Sequence, residues 1–308
     1  MESKANGILA CFSISELLER SAMMLSCSTW YEISEYLEQF DGVIIPAGST
    51  EQHGPIGLIG TDAICAETIS ERAAERAHAL VAPCLAFSPA PFNALFPGTI
   101  SVTESLFARL AREVVSALMV QGFRKFYFLN GHGANIAPLN SLKTEIADAS
   151  VRVQSWWDFP QVSELRSRHF GDWEGMHATP SEISITQFTT RFVESPLALE
   201  PPEKLSPEFL RKHAGDRHGP AEEHMRRFPD GRVGSHSALA SSERGKELFE
   251  AAVAAVSEDY LTFVKASGES YPQCRGMMLP LWFSRAQRST NLRSPAKHGF
   301  AEKSCTGH

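Results

Sequence analysis

Four short apolar runs, each arriving just after a stretch of helical periodicity, constrain this chain more than any other feature. They are Val43-Ile44-Ile45-Pro46, Leu80-Val81-Ala82-Pro83, Phe126-Tyr127-Phe128-Leu129 and Val151-Arg152-Val153. A helix over Tyr31 to Phe40, with Ile33, Tyr36 and Leu37 on one face, precedes the first and is stopped by Asp41-Gly42; Ser28, Thr29 and Glu32 are its candidate caps. Helices around Ala63 to Ala79, Glu104 to Gln121 and Pro138 to Ala149 precede the other three runs. Helices of this length alternating with brief apolar strands indicate βαβ units, hence an α/β fold around a mostly parallel sheet. Reactive residues in such sheets gather just past the carboxyl ends of the strands. The two most polar motifs lie there: Gly48 to Asp62 follows the first run and Asn130 to Asn135 follows the third.

The 308 residues carry a formal charge of −7 and no dense basic stripe, so nucleic acid is not an expected partner. Glu2, Glu16, Glu19 and Arg20 interrupt any N-terminal apolar core, and no apolar run is long enough to span a bilayer. No membrane association is therefore expected, and the expected location is the cytoplasm. Six cysteines lie far apart without a C-x-x-C pair, which points to reduced thiols. Residues 1–24 read as an N-terminal extension, 25–267 as the folded domain, and 268–308 as a poorly ordered tail in which Met277 to Phe283 is a candidate docking segment. Within the domain, residues 195–235 are rich in Pro, Gly and mixed charge and read as a surface excursion before a last helix from about Ser242 to Val264.

Three constellations carry chemistry. Gly48-Ser49-Thr50-Glu51-Gln52-His53-Gly54-Pro55, ending at Thr61-Asp62, sets two carboxylates and an imidazole on one loop, a donor set suited to Zn²⁺, Mn²⁺ or Fe²⁺. The competing interpretation is a hydrophilic connection with a capping Asp. Asn130-Gly131-His132-Gly133-Ala134-Asn135 places a histidine between glycines at a strand end, a string that turn chemistry alone does not account for. In Trp173 to Glu182, leading into an apolar helix Ile183 to Phe188, the acid Glu182 falls in the first helical turn, where capping alone would suffice to explain it.

The run Ile45 to Pro55 with Thr61-Asp62 resembles the signature of the creatininase (creatinine amidohydrolase) family. So do Phe96 to Ser101, Asn130-Gly131-His132, Trp157-Asp158-Phe159, His177 with Glu182, and Gly234 followed by Ala240-Ser241 and Gly245, in order over roughly residues 27–265. The resemblance implies a three-layer α/β/α domain holding two divalent ions, in which a metal-bridging hydroxide attacks an amide or related C–N bond. It makes Glu51, His53 and His132 terminal ligands, Asp62 the bridging ligand and His177 the proton-transferring histidine. Trp157 and Trp173 match positions near the substrate, Phe96 joins Phe92 as an aromatic candidate for the pocket wall, and Glu174 is a candidate for orienting His177. The family's metal-binding Glu two residues after the strand-end His is Ala134 here, so Glu182 is assigned as the replacement ligand. The usual His after Gly-Pro is Ile56. Creatinine is thereby an improbable substrate, while a small cyclic amide, a formamide or a short peptide fits the same machinery. A homo-oligomer, a ring-like hexamer built from dimers, is also implied by the resemblance.

Two other classes compete. A non-catalytic binding or assembly subunit would explain Ala134, although five ligand-type residues and His177 survive. A two-metal phosphoesterase would need basic residues near the site, and the motifs hold none.

Overall fold

Thr29 accepts a hydrogen bond from the Glu32 backbone while the Glu32 side chain reaches back to Thr29 N, so a capping box starts helix α1 (Trp30–Leu37). Thr103 likewise caps α3 (Glu104–Gln121), which Gly122 closes in the left-handed conformation. The computed structural model describes residues 23–213 and 219–266. In chain order these hold β1 (Met23–Met24), α1, β2 (Gly42–Ala47), α2 (Thr61–Ala77), β3 (Leu80–Val81), α3, β4 (Lys125–Asn130), α4 (Ile136–Glu145), β5 (Ser150–Ser155), α5 (Pro160–Phe170), α6 (Pro180–Thr189), α7 (Pro207–His213), α8 (Ala221–Arg227) and α9 (Ser242–Lys265). Most of the 1–24 extension, and all of the 268–308 tail with Met277 to Phe283, lie outside the described residues.

The five strands pair in the order β1-β3-β2-β4-β5, every pair parallel. Alternation along each strand divides the core in two. Ile44, Val81, Tyr127 and Leu129 face one side, where they pack on Ile69 of α2, Val162 of α5, Ile185 of α6 and Leu248, Val253 and Val256 of α9. Val43, Ile45, Phe126 and Phe128 face the other, against Ile33 of α1, Phe107 and Val115 of α3 and Leu139 of α4. The result is the three-layer α/β/α arrangement, with a sheet that is wholly parallel rather than mostly so. Strands covered on both faces are apolar throughout, which is why β2 and β4 read as unbroken runs.

Three local features differ from the sequence expectation. Helix α2 starts at Thr61, two residues earlier than its apolar stripe, so Asp62 lies in its first turn. Helix α5 has no counterpart in the sequence reading because only Val162 and Phe170 of its eleven residues are buried, too thin a stripe to show periodicity. The 195–235 excursion is not wholly a surface segment. It carries α7 and α8, and then Arg232, Val233 and Ser235 return to the interior. Among the described residues Cys27, Cys65 and Cys84 are free thiols. No described helix is long and apolar enough to cross a membrane.

Candidate metal centre

The carboxyl ends of β2 and β4 meet the first turn of α2, and two glycines permit it. A Cβ on Gly48 would sit 2.3 Å from Ala63 N, and one on Gly131 would sit 2.3 Å from Asp62 O. Gly131 N donates to Ala47 O (2.7 Å), holding the two strand ends together. The first loop is closed by Glu51 N donating to Ile59 O (2.8 Å). At the end of β4, Asn130 Nδ2 donates to His132 O (2.8 Å) and Asn135 Nδ2 donates to Gly48 O (3.0 Å). The two asparagines of the Asn-Gly-His-Gly-x-Asn string thus tether the turn, and His132 alone of that string enters the cage.

Side chains far apart in sequence converge here. His132 Nδ1 lies 2.9 Å from Asp62 Oδ2 and 3.1 Å from Glu51 Oε1. His53 Nε2 lies 2.9 Å from Asp62 Oδ1 and 3.7 Å from Glu182 Oε1. The donors form three overlapping sets, Glu51–Asp62–His132, His53–Asp62–Glu182 and Glu51–His53–His177; the first two share Asp62 through its separate oxygens, and the third brings His177 to the edge of the cage. All are less than a tenth exposed. Tetrahedral bonds of about 2.0–2.1 Å place neighbouring ligand atoms about 3.3 Å apart, so spacings of 2.9–3.7 Å match an ion at the centre of each of the first two sets.

Each imidazole is fixed from behind by a carbonyl. His132 Nε2 donates to Pro89 O (2.7 Å) and His53 Nδ1 donates to Glu51 O (3.1 Å), which leaves Nδ1 of the first and Nε2 of the second directed into the cage. Glu51 Oε1, completely buried, takes no hydrogen bond, as befits an oxygen reserved for a cation. The residues present therefore fit a pair of divalent ions.

Electrostatics point the same way. Burial pulls the imidazole of His53 down, but Asp62, Glu182 and Glu51 overcome it and carry it up to about 10. His132 is similarly penalised by burial and raised well above its ordinary value by Glu51 and Asp62. Burial pushes Glu182 up to about 7 against the opposing pull of His53, with Asp62 adding to the push. Burial also works against ionised Asp62, yet His53 and His132 hold it well below the ordinary carboxylate range. The carboxylates that favour protons on the two histidines are the groups that would attract cations. Cys65, which donates its thiol to Glu182 O (3.6 Å), is raised by burial and then by Glu182 and Asp62, so it supplies no thiolate.

Glu182 both caps a helix and faces the cage. Thr179 and Glu182 form the capping box of α6, with Thr179 N donating to Glu182 Oε1 (2.6 Å), and that same oxygen faces His53. His177 stands beside the cage, its ring centroid 4.6 Å from that of His53 and its Nδ1 3.7 Å from Glu51 Oε1, while Nε2 donates to Gln52 O (2.7 Å). Ala178, at φ 56°, turns the chain between His177 and the cap of α6, a left-handed non-glycine residue of the kind found at functional sites.

The remaining expected residues fall elsewhere. Glu174, expected to orient His177, is instead engaged by Arg166 Nε (2.8 Å) and by the Ser181 hydroxyl, because it hangs over the start of α6. Trp157 packs edge-on to Trp156 and against the α5 side of the core. Trp173 lies edge-on to His236 and beneath the Lys204 ammonium at 4.6 Å. Phe96 is half-buried in the turn that follows Asn93. The aromatic ring against His177 is Phe92, edge-on at 5.8 Å, and buried His224 of the excursion packs edge-on to Phe92 at 5.0 Å.

Two polar residues at this site carry no role in the sequence reading. Gln52 bonds Asn93 (2.8 Å) and Gly231 O (3.0 Å), and Asn93 bonds Glu51 (2.8 Å). Gln52 was legible in one respect, since in an extended Glu51-x-His53 segment the middle residue must face away from the ligands. Asn93 had no signal.

The profile of the family described as "Creatininase: Creatinine amidohydrolase" matches residues 26–260. The chain belongs to the creatininase family. A 3-dehydro-scyllo-inosose hydrolase of Thermotoga maritima is 30% identical over 244 residues, covering 72% of this chain and 78% of the relative. The creatinine amidohydrolase of Pseudomonas putida is 27% identical over 205 residues, covering 58% and 79%. A solved structure described as "Creatininase Mn" shares the fold at TM-score 0.59 and 23% identity, over 79% of this chain and 99% of that one. Within the creatininase fold, Ala134 sits in the short turn Gly133–Asn135 and offers no donor, and the second carboxylate near His53, after that of Asp62, comes from α6.

Proposed function

We propose that this creatininase-family chain is a metal-dependent amidohydrolase that cleaves a C–N bond of a small cyclic amide, formamide or short peptide. The observation that carries the reading is the pair of three-donor sets sharing Asp62. Three protein donors per ion leave positions for water and substrate, the pattern of catalytic rather than structural sites. The donors are carboxylate and imidazole, which suits Zn²⁺, Mn²⁺ or Fe²⁺. Three carboxylates against two dications leave the cage one positive charge in excess, a setting that favours an anion at its centre.

When bound, the two ions supply Lewis acidity and lower the pKa of a shared water from 15.7 toward about 7. Glu51, Asp62, His132, His53 and Glu182 would hold them. His177 is committed at Nε2 to Gln52 O, so Nδ1, the atom facing Glu51, takes and delivers the proton that the departing nitrogen needs. Phe92 and His224, both buried, lie on the His177 side, and the Gly231 carbonyl holds Gln52 there. Trp173, with Lys204 above it, is the proposed substrate-facing aromatic.

The test couples metal analysis to a hydrolysis screen of the Mn²⁺- and Zn²⁺-loaded protein against cyclic amides including creatinine, formamides, short peptides and 3-dehydro-scyllo-inosose. Close to two ions per chain and turnover of an amide support the reading. No ion after metal-replete expression supports a binding subunit, and turnover of the inosose alone replaces the C–N assignment.

A further inference from the structure

Asn93 is completely buried in the short turn Pro91–Asn93, 42 residues from Glu51, and every polar atom of its side chain is spent on the metal cage or its surroundings. Its Nδ2 donates to Glu51 Oε2 (2.8 Å) and lies 3.1 Å from His177 Nε2, while its Oδ1 accepts from Gln52 Nε2 (2.8 Å). The orientation of the amide is set by these partners. A carboxylate can only accept, so the group facing Glu51 must be the NH₂. Gln52 is oriented in turn by Gly54 N, which donates to its Oε1 (2.7 Å), and by Gly231 O, which accepts from its Nε2 (3.0 Å).

The consequence falls on Glu51. With Oε2 occupied by Asn93, the remaining oxygen, Oε1, is the one directed at His132 Nδ1 and at His177 Nδ1. A carboxylate released from Asn93 would be free to rotate and present either oxygen, or both, to an ion. We infer that Asn93 is a positioning residue: its amide selects which oxygen of Glu51 serves as ligand and fixes the distance from that ligand to His177. Through Gln52 the same amide is tied to Gly231, two residues before the Val233 that pairs with His177. The inference rests on the metal-centre reading above, and it assigns to Asn93 a role through Glu51 and His177 rather than contact with substrate.

Mn²⁺ titration of the full chain, with free Mn²⁺ read by electron paramagnetic resonance, tests it apart from catalysis. Asn93→Ala removes the donor and leaves a cavity, and Asn93→Leu removes it while keeping the branched side-chain shape with a somewhat larger volume, so an effect common to both is that of the lost hydrogen bond. Wild type should take up two ions. In both variants one affinity, that of the Glu51 set, should weaken about 10- to 100-fold, the usual effect of losing an outer partner of a ligand, while the other changes little. Unchanged affinities would overturn the inference, and so would an equal fall in both, which general loosening produces. Cooperative thermal unfolding of either variant establishes that it is folded; if neither folds, the role is structural and the inference fails. If wild type itself binds no Mn²⁺ or Zn²⁺, the metal-centre reading has failed first, a result distinct from all of these.

Discussion

Sharing of Asp62 between the two donor sets makes a quantitative demand on metal-linked stability. Each site adds RT ln(1 + [M]/Kd), which is about 2.7 kcal/mol when the free ion is at 100 times Kd. Two sites then give about 5 kcal/mol, or roughly 10–20 °C at about 2–4 °C per kcal/mol for a chain of this size class. Asp62→Asn removes a charged donor from both sets and should abolish the shift. Glu182→Gln removes one from a single set and should retain about half. The second substitution is well controlled, because glutamine at this position preserves the capping box of α6, and the metal-free protein should be no less stable than wild type. The assay is thermal unfolding with and without Mn²⁺. A full shift retained by Glu182→Gln would show that Glu182 caps a helix and nothing more, and a half-shift in Asp62→Asn would show that the two sets do not share that residue.

Three further outcomes follow from the same geometry. His177→Ala should lower kcat about 10²- to 10⁴-fold with metal content unchanged, and unaltered turnover would remove His177 from the proton path. His53 is raised from 6.5 to about 10 and Glu182 from 4.5 to about 7, so in the metal-free chain both contributions to stability are present at low pH and are lost as pH rises. Metal-free stability should therefore fall between pH 4.5 and 7 as Glu182 ionises and between pH 6.5 and 10 as His53 loses its proton, while the Mn²⁺ shift grows, and melting curves that run parallel with and without metal across that range would contradict the assignment. Arg232, 4% exposed, ties Asp230 to the carbonyls of Leu197, Ala198 and Glu200. Because Asp230 keeps some water, Arg232→Met should cost near the low end for a broken buried pair, about 3 kcal/mol. Urea unfolding measures the loss, and an unchanged midpoint would refute it.

The parallel sheet was legible because β2 and β4 are buried on both faces and α1, α3 and α9 carry wide apolar stripes. The convergence of Glu51, His53, Asp62 and His132 was legible because they follow strand ends, where such sheets place chemistry, and because the family's motifs mark them. The wall of the site was not. His224 stands on a helix rich in charge and its partner Phe92 is over a hundred residues away, so no local periodicity connects them. Asn93 escaped for the same reason, since a buried amide is recognised by its partners and not by its neighbours in sequence. Glu174 was misread toward His177 because proximity in sequence stood in for geometry, and the chain turns between them at Gly175, at φ 66°.

Two of the three acids of the cage, Asp62 and Glu182, occupy the first turn of a helix, α2 and α6 respectively. A carboxylate there is favoured by the helix dipole and by unpaired backbone N–H groups, whatever its other role. Helices α2 and α6 pack on the same face of the sheet, so their amino ends can both reach the rim where β2 and β4 terminate. The rule that starts a helix thus also delivers negative charge to the place where an α/β sheet gathers its reactive residues. Capping and an approach to the cage are then not rival explanations of Glu182: the cap holds its Oε1 at 3.7 Å from His53 Nε2, so the proposed substitute for a donor at Ala134 comes from a helix whose start already favours a carboxylate at that position.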